Sequence, residues 1–382
     1  MTNNNLSGIN FDKIIENDYE LQLYQDLAKE IIRYVENNKS STFNEIIKEV
    51  GGSDRRILRL LDQLVNQKLI TFKDYKFFSG RSEDIKIESK NFVCDSCCGK
   101  LVKIDGELGN ITKIMKDIYQ EKPKPTFLFD QRPVNFETTV RRVSYLIWRR
   151  DIQNKKIAIL GDDDLTSLAI GLTGLAKEIV VFEIDKRLTK FIREKSEEFK
   201  LSITVIEQDL TKHIPQKYLN YFDIFMTDPT PTKIPFTVFA NMGIAILKKN
   251  CGVGYLSYLP SCMSKTIDVQ KIITDMNLLI TDVIPFFTEY DFIKETYTPE
   301  DRKLLAKYSK EGSYISFFEH LIRVETTKET KILPISYIPE DLFGKATKRV
   351  LNNPEKDPAF SVKDPSIVKI VEEILKNKRA KK

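Results

Sequence analysis

From Phe136 to about residue 328 the chain alternates short apolar runs with amphipathic stretches, and this alternation restricts the fold more than any other feature. After the helical FETTVRRVSYLIWRRDI come KKIAIL, DLTSLAIGLTGLA, EIVVFEI, RLTKFIREKSEEFK, SITVIEQ, YFDIFMTD, TVFANMGIAILKK and CGVGYLSYL. ISFFEHLIRVET reads as the last strand. Strands that are apolar on both faces, separated by helices, predict a mostly parallel sheet covered on both sides. The expected domain is α/β and Rossmann-like, of the class I methyltransferase-like kind.

In an open α/β sheet, ligands bind beyond the carboxyl ends of the strands. Here those ends carry acids. KKIAIL runs into Gly161, Asp162, Asp163 and Asp164; EIVVF into Glu183 and Asp185; SITVIEQ into Asp209; YFDIFMT into Asp228. At least six carboxylates would converge on one crevice. Glu183 occupies the place where such folds hold ribose hydroxyls, and Asp209 the place of an adenine amino contact. A single acid at such a position is as readily a helix or turn cap. Their joint placement points to an adenosine-containing ligand.

Three consecutive aspartates argue against the ordinary adenosine cofactors, which carry negative groups near this loop. A helix N-terminus attracts anions, and the run would cancel that attraction. At an effective dielectric of about 20, a close like-charge pair costs about 4 kcal/mol before screening. The ligand should therefore be cationic and lack a carboxylate. Decarboxylated S-adenosylmethionine has that form, and the spare acids would hold a second cation such as a polyamine. Clustered aspartates also suit Mg²⁺, but no phosphate-cradling motif accompanies them. The expected site holds no metal and no tightly bound cofactor.

Composition supports a soluble, cytoplasmic protein. The 382 residues are 41% hydrophobic, enough for two cores, and 60 Lys+Arg against 55 Asp+Glu leave a net charge of only +5. That charge is too small to grip nucleic acid by itself. The N-terminus lacks the pattern of a signal peptide, and no apolar run reaches the roughly 18 residues of a membrane span. Heavy use of Lys and Glu suits a thermophile.

Residues 1–120 read as an N-terminal winged-helix-like α+β domain. LQLYQDLAKEIIRYVEN, TFNEIIKEVGG (Thr42 as N-cap) and SDRRILRLLDQLVNQ (Ser53 or Asp54 as cap) are three helices, and LITFKDYKFFSG is a wing of two strands. Arg55, Arg56 and Arg59 on the third helix would serve DNA binding; dimerisation or a lid is the plainer reading. Nucleic acid is not the favoured partner. Cys94 and Cys97 form half of a zinc site with no second pair, and the only histidines, His213 and His320, lie far away. A vestigial knuckle or simple core cysteines is the expectation. Residues 121–135 are a proline-containing linker, 136–328 the catalytic domain, and 329–382 a tail with a short helix at PSIVKIVEEILKNK.

With these residues in view, FDQ…ETTVRR (Phe129–Arg142), GDDDLTSLA (Gly161–Ala169), TGLAKEIVVFEIDKRL (Thr173–Leu188), FDIFMTDPTPT (Phe222–Thr232) and FTEY (Phe287–Tyr290) resemble the branched-chain polyamine synthase family, the N4-bis(aminopropyl)spermidine synthases of thermophiles. The similarity spans roughly residues 20 to 328. Asp228-Pro229-Thr230-Pro231 departs from the family's D-P-P-Y by losing the tyrosine. The resemblance implies a homodimeric aminopropyltransferase. It would use decarboxylated S-adenosylmethionine as co-substrate, aminopropylate the secondary amine of spermidine and then N4-aminopropylspermidine, and release 5′-methylthioadenosine.

On this basis Asp162 is expected to take the attacking amine's proton with Asp228 beside it, while Asp163 and Asp164 hold the donor ammonium and the acceptor chain. Glu183 would bind ribose and Asp209 adenine, with Gly161 and Asp185 lining the donor site. Gln131 and Glu137 would close over the donor, and Glu289 would reach the acceptor's far end. Rival readings are a nucleic-acid amino-methyltransferase, a metabolite-sensing DNA regulator and a linear spermidine or spermine synthase.

Overall fold

The computed structural model describes residues 9, 21–38, 40–51, 53–79, 94, 96–97, 99–212, 214–259, 266–291, 297–310, 315–336 and 367. The expected C-terminal helix and His213 lie outside the described residues, apart from the isolated Ile367.

The N-terminal part contains α1 (Leu21–Asn37), α2 (Phe43–Val50), α3 (Asp54–Asn66) and a hairpin of β1 (Ile70–Lys73) and β2 (Lys76–Ser79). Thr42 caps α2 in a reciprocal box with Glu45, which satisfies two otherwise orphaned donors. Ser53 holds the N-cap position of α3 but makes no side-chain cap hydrogen bond. The helices' apolar faces enclose one core, with Ile31, Phe43, Ile46, Ile57, Leu61 and Phe77 at its centre.

The catalytic part holds α4 (Glu107–Glu121), α5 (Phe136–Trp148), β3 (Lys156–Leu160), α6 (Thr166–Thr173), β4 (Glu178–Glu183), α7 (Lys186–Glu198), β5 (Ile203–Glu207), β6 (Ile224–Thr227), α8 (Lys233–Ile246), β7 (Val253–Tyr258), α9 (Thr266–Asp275), β8 (Leu278–Asp291), α10 (Pro299–Tyr308) and β9 (Ile315–Thr326). Seven strands form one sheet in the order β5-β4-β3-β6-β7-β9-β8. All neighbours are parallel except β9, which runs antiparallel to both β7 and β8. This order with one reversed strand is that of class I methyltransferase-like folds.

Period-two alternation sorts the strands' side chains to the two faces. Ile157 and Ile159 join the core beneath α4, α5, α6 and α7. Ala158 and Leu160 join the opposite core beneath α8 and α9. Strand β3 pairs with β4 on one side and β6 on the other. The chain direction across the sheet reverses there, so a crevice opens at the ends of β3 and β6.

Three features differ from the sequence expectation. Helix α4 falls within residues assigned to the N-terminal domain, yet Ile111, Met115 and Ile118 are buried against α5 and the sheet. By packing, the sheet-containing unit begins near Val102. Its apolar residues Leu108, Ile111, Met115 and Ile118 recur at helical spacing, so the sequence carries the helix, and only the partner it packs against is not written there. The long strand β8 was also unforeseen, because its alternation is broken by register shifts after Ile280 and Ile284. The supposed linker contains a buried 3-10 turn at Phe127–Phe129 and a buried Gln131.

Helix α10 joins the two parts. Tyr297, Leu305 and Tyr308 enter the N-terminal core together with Phe318 of β9. Arg59 forms two hydrogen bonds, of 2.7 and 2.9 Å, to the buried Asp301. Arg56 donates to Tyr24 Oη at 2.6 Å. Two of the three arginines expected on a DNA-facing surface are thus engaged within the protein. At this junction Gly51 has φ +71° and the Phe286 ring lies 1.9 Å from where a Cβ would sit, so no other residue fits.

Cys94 and Cys97 are free thiols, exposed and half-buried respectively. Neither is a core cysteine, so of the two alternatives expected for them the core one fails. Among the described residues no helix is long and apolar enough to cross a membrane.

His320 is packed edge-on against Tyr258 and Phe286 and accepts the Phe286 N–H at 3.2 Å. Burial pushes its pKa down to about 4. The unfolded chain then binds more protons between about pH 6.5 and 4, so this site's stability is present above pH 6.5 and is lost as pH falls through that window. The contribution is at most about 3 kcal/mol. Chemical denaturation of His320→Gln at pH 7 and pH 4.5 should show a smaller acid loss than in the natural protein; equal losses would remove His320 as the cause.

Candidate active site

The loop after β3 turns at Gly161, where φ is +75° and glycine avoids a steric cost. Its N–H donates to Phe182 O at 2.9 Å, continuing the ladder to β4. The next three residues take three different environments.

Asp162 is 1% exposed. Its carboxylate accepts from the Ser167 N–H at 3.3 and 3.4 Å and from Ser167 Oγ. Its own N–H donates to Glu183 Oε2 at 2.8 Å. Burial pushes its pKa up to about 7 against the opposing hydrogen bonds of Ser167. The side chain fastens the loop to the first turn of α6. Asp163 is only partly buried. Burial and then Asp164 raise its pKa well above the ordinary range.

Asp164 is 4% exposed. Its carboxylate accepts from Arg142 Nη1 at 2.5 Å, and its carbonyl accepts from Tyr119 Oη at 2.6 Å and Thr139 Oγ1 at 2.9 Å. Arg142 reaches Asp228 with its other terminal nitrogen. Asp228 also accepts from Tyr290 Oη, 2.7 Å from both of its oxygens. Tyr290 stacks on Phe317 at 4.2 Å. One guanidinium, 2% exposed, thus ties the aspartate of the β3 loop to the aspartate after β6. Burial opposes its charge, but Asp164 and Asp228 outweigh this and hold its pKa well above the ordinary value. Burial raises the pKa of Asp228, with Arg142 opposing.

The donor-side residues also converge. Glu183, 4% exposed, accepts the backbone N–H groups of Asp162 and Asp185, each at 2.8 Å. Burial raises its pKa. Asp185 caps α7 through the Arg187 N–H at 2.9 Å and pairs with the Arg187 side chain at 2.6 Å. Gln131 donates to Asp185 at 2.9 Å and accepts the Thr126 N–H at 2.9 Å, so the segment before α5 is folded onto the edge of the crevice.

Asp209 is more exposed and turned into its own loop. It accepts from Thr211 N and Oγ1 at 2.9 and 2.6 Å and from Lys212 at 3.3 Å. Burial pushes its pKa up, but these donors outweigh that and bring it below the ordinary value. Glu289 differs most from expectation. It pairs with buried Lys100 at 2.8 Å and accepts from Asn135 Nδ2 at 3.0 Å, and so holds the start of α5 against β8. Burial lowers the Lys100 pKa to about 8.

Arg142, Tyr290 and Ser167 were not among the sequence candidates. A signal existed for Arg142. It shares a face of α5 with buried Thr139, Val143 and Leu146, and a cation on an apolar helix face needs a buried partner. Tyr290 and Ser167 fall inside the FTEY and GDDDLTSLA stretches, where no local pattern marks either one as a site residue.

The fold and this acidic crevice define a nucleoside-dependent transferase acting on a cationic ligand. The family described as "Branched-chain polyamine synthase A C-terminal domain" matches residues 110–346. The chain is 36% identical over 246 residues to the N(4)-bis(aminopropyl)spermidine synthase of Thermococcus kodakarensis, covering 63% of this chain and 69% of that one. The enzyme of that name from Methanocaldococcus jannaschii shows the same identity and coverage. The crystal structure of the Thermus thermophilus branched-chain polyamine synthase, in complex with N4-aminopropylspermidine and 5′-methylthioadenosine, superposes with a TM-score of 0.69 at 20% identity. That match covers 88% of this chain and 99% of that one. The chain belongs to the branched-chain polyamine synthase family.

Proposed function

We infer that this protein transfers aminopropyl groups from decarboxylated S-adenosylmethionine to the secondary amine of spermidine. N4-aminopropylspermidine and then N4-bis(aminopropyl)spermidine would form, with release of 5′-methylthioadenosine. The observation that carries this reading is the cluster of Asp162, Asp163, Asp164, Glu183 and Asp228 at the carboxyl ends of β3, β4 and β6, with Arg142 as the buried guanidinium between two of them. Such a cluster repels a carboxylated cofactor and attracts a polycation. The family supplies the acceptor, since its relatives carry that activity in their names.

The reaction is an in-line displacement. The amine lone pair forms a bond to the propyl carbon, and the C–S bonding pair leaves with sulfur as a neutral thioether. Sulfonium is already a good leaving group, so the enzyme's task is to align the partners and present an uncharged amine. Asp228 faces the attacking nitrogen. Asp163 and Asp164 neutralise the donor's terminal ammonium and the acceptor chain. Glu183 keeps lone pairs for ribose hydroxyls, Gly161 and Asp185 border the donor, and Asp209 contacts adenine once its loop turns inward. Asp162 and Glu289 set the positions of the loop and of α5. We further read residues 21–79 as a winged-helix-like domain, and the protein as a cytoplasmic homodimer that takes its donor as co-substrate.

The test is to incubate the protein with decarboxylated S-adenosylmethionine and spermidine and to fragment the products by mass spectrometry. Branched mono- and bis-adducts are expected, together with calorimetric binding of the decarboxylated donor at least about tenfold tighter than S-adenosylmethionine, a gap of about 1.4 kcal/mol. Linear products would exclude the branched acceptor. Preference for the carboxylated donor would overturn the whole reading.

A further inference from the structure

A further carboxyl lies against this crevice, on a strand from which no ligand contact was expected. Glu319 in β9 is 1% exposed, and its Oε2 is buried without a hydrogen-bond partner. A buried, unpartnered carboxylate oxygen costs several kcal/mol if the group is ionised.

Strand register shows where the side chain belongs. Glu319 stands opposite Thr288, Phe317 opposite Tyr290, and Leu321 opposite Ser257. Paired residues project from the same face of a sheet. Glu319 therefore shares a face with Ser257, Thr288 and Tyr290. The first two lie 3.5 and 3.4 Å from Arg142 Nη2, and the third donates to Asp228. The groups facing Glu319 are Asp228 from the end of β6, Tyr290 from β8 and Arg142 from α5. Arg142 is already shared with Asp164. Three carboxyls thus face a single guanidinium, and two carboxyls side by side cannot both be ionised away from water. Burial first, and then Asp228, raise the Glu319 pKa well above the ordinary range.

We propose that Glu319 and Asp228 share one proton at neutral pH and that this pair lets the acceptor amine bind as its free base. The proposal rests on the aminopropyl-transfer reading. Glu319 is a positioning residue that acts through Asp228. An acceptor amine reaches the crevice as an ammonium. Two bare carboxylates would keep it so, with no lone pair to attack. With one proton already on the pair, the amine's extra proton leaves to water. The free nitrogen then attacks the propyl carbon, and the C–S pair departs on sulfur. In the first addition the new tertiary ammonium keeps the nitrogen's own hydrogen and loses it before the second. In the second, the tertiary amine becomes a quaternary ammonium and has no proton to lose. The pair holds the same proton throughout.

Glu319→Gln keeps the shape and removes the shared proton. The net charge of the pair's place stays at minus one, but all of it now sits on Asp228, where the natural pair divides it over two carboxyls; Asp228 therefore holds the neighbouring ammonium more strongly and the amine stays charged. The expected result is a fall in kcat at pH 7 of about tenfold or more and an acidic limb of the pH–kcat profile moved up by about one unit, equivalent to tenfold in proton affinity. Binding of 5′-methylthioadenosine should stay within about twofold of the natural protein, because Glu319 lies away from the donor-side residues. Glu319→Asp, which keeps the pair, should recover part of the rate and the original profile. Difference infrared spectroscopy of the unliganded protein at pH 7 should show a protonated-carboxyl band that weakens in Glu319→Gln. An unmoved pH profile in Glu319→Gln, or an unchanged band, overturns the proposal. Should the natural protein transfer no aminopropyl group, the functional reading fails, and the infrared band still decides whether the proton is shared.

Discussion

Replacing Arg142 with methionine is expected to destabilise the protein by about 3–5 kcal/mol and to abolish measurable transfer. Removing one member of a buried ion pair leaves the other charges uncompensated, and that penalty exceeds the net worth of the pair itself. Here the loss strands two carboxylates at once, Asp164 and Asp228. Methionine fills much of the arginine's apolar volume, so the result reports charge rather than a cavity. Urea denaturation at pH 7 measures the effect. If charge is the cause, the double variant Arg142→Met with Asp164→Asn should regain part of the stability, because one stranded charge is gone. Two losses that simply add would show that Arg142 and Asp164 are not coupled. Activity should stay lost in the double variant, since the span between the β3 loop and the end of β6 is broken in both.

Asp228→Asn should lower kcat by about 10²–10⁴-fold, the range for removing a group that governs proton transfer. Binding of 5′-methylthioadenosine should be preserved, because Glu183, Asp185 and Gln131 contact one another rather than Asp228. Asn keeps an acceptor for Tyr290 and Arg142, so folding should survive the change. The informative comparison is Asp162→Asn. Asp162 is bound to Ser167 at the start of α6, so its substitution should cost less than about tenfold in kcat. Single-turnover measurements with decarboxylated S-adenosylmethionine separate the two. A loss at Asp162 as large as that at Asp228 would return the carboxyl that faces the attacking nitrogen to the β3 loop. Unimpaired turnover in Asp228→Asn would remove it from the chemistry.

Much of the architecture was legible because it follows from local periodicity. The strand–helix alternation after Phe136 predicted the parallel sheet, and the residues at the strand ends predicted the acidic crevice, including Glu183, Asp185 and Asp228. Thr42 was recognisable as a cap because the capping box is a contact over three residues. Elements without a clean period escaped. Strand β8 is interrupted by register shifts; α4 has a helical period of its own, and what the sequence left open was that it packs on α5 and the sheet. Gln131 was a site candidate, yet its segment read as a linker because prolines and charges hide a turn that buries Phe127 and Leu128.

The sequence by itself determined the sheet, its two apolar faces and the sign of the pocket, since residue type and period are local properties that survive in any packing of these elements. Only the tertiary structure decided which acid does what. Three adjacent aspartates are chemically identical in the chain. They become an anchor, a partly open carboxyl and an ion-pair member because Ser167, the crevice and Arg142 meet them in turn. Glu289 is paired with Lys100, a residue 189 positions earlier, and Glu319 was brought to the crevice by the pairing of β9 with β7 and β8. A carboxyl's ionisation depends on burial and on the charges a few ångströms away, and those neighbours come from parts of the chain that no local pattern connects.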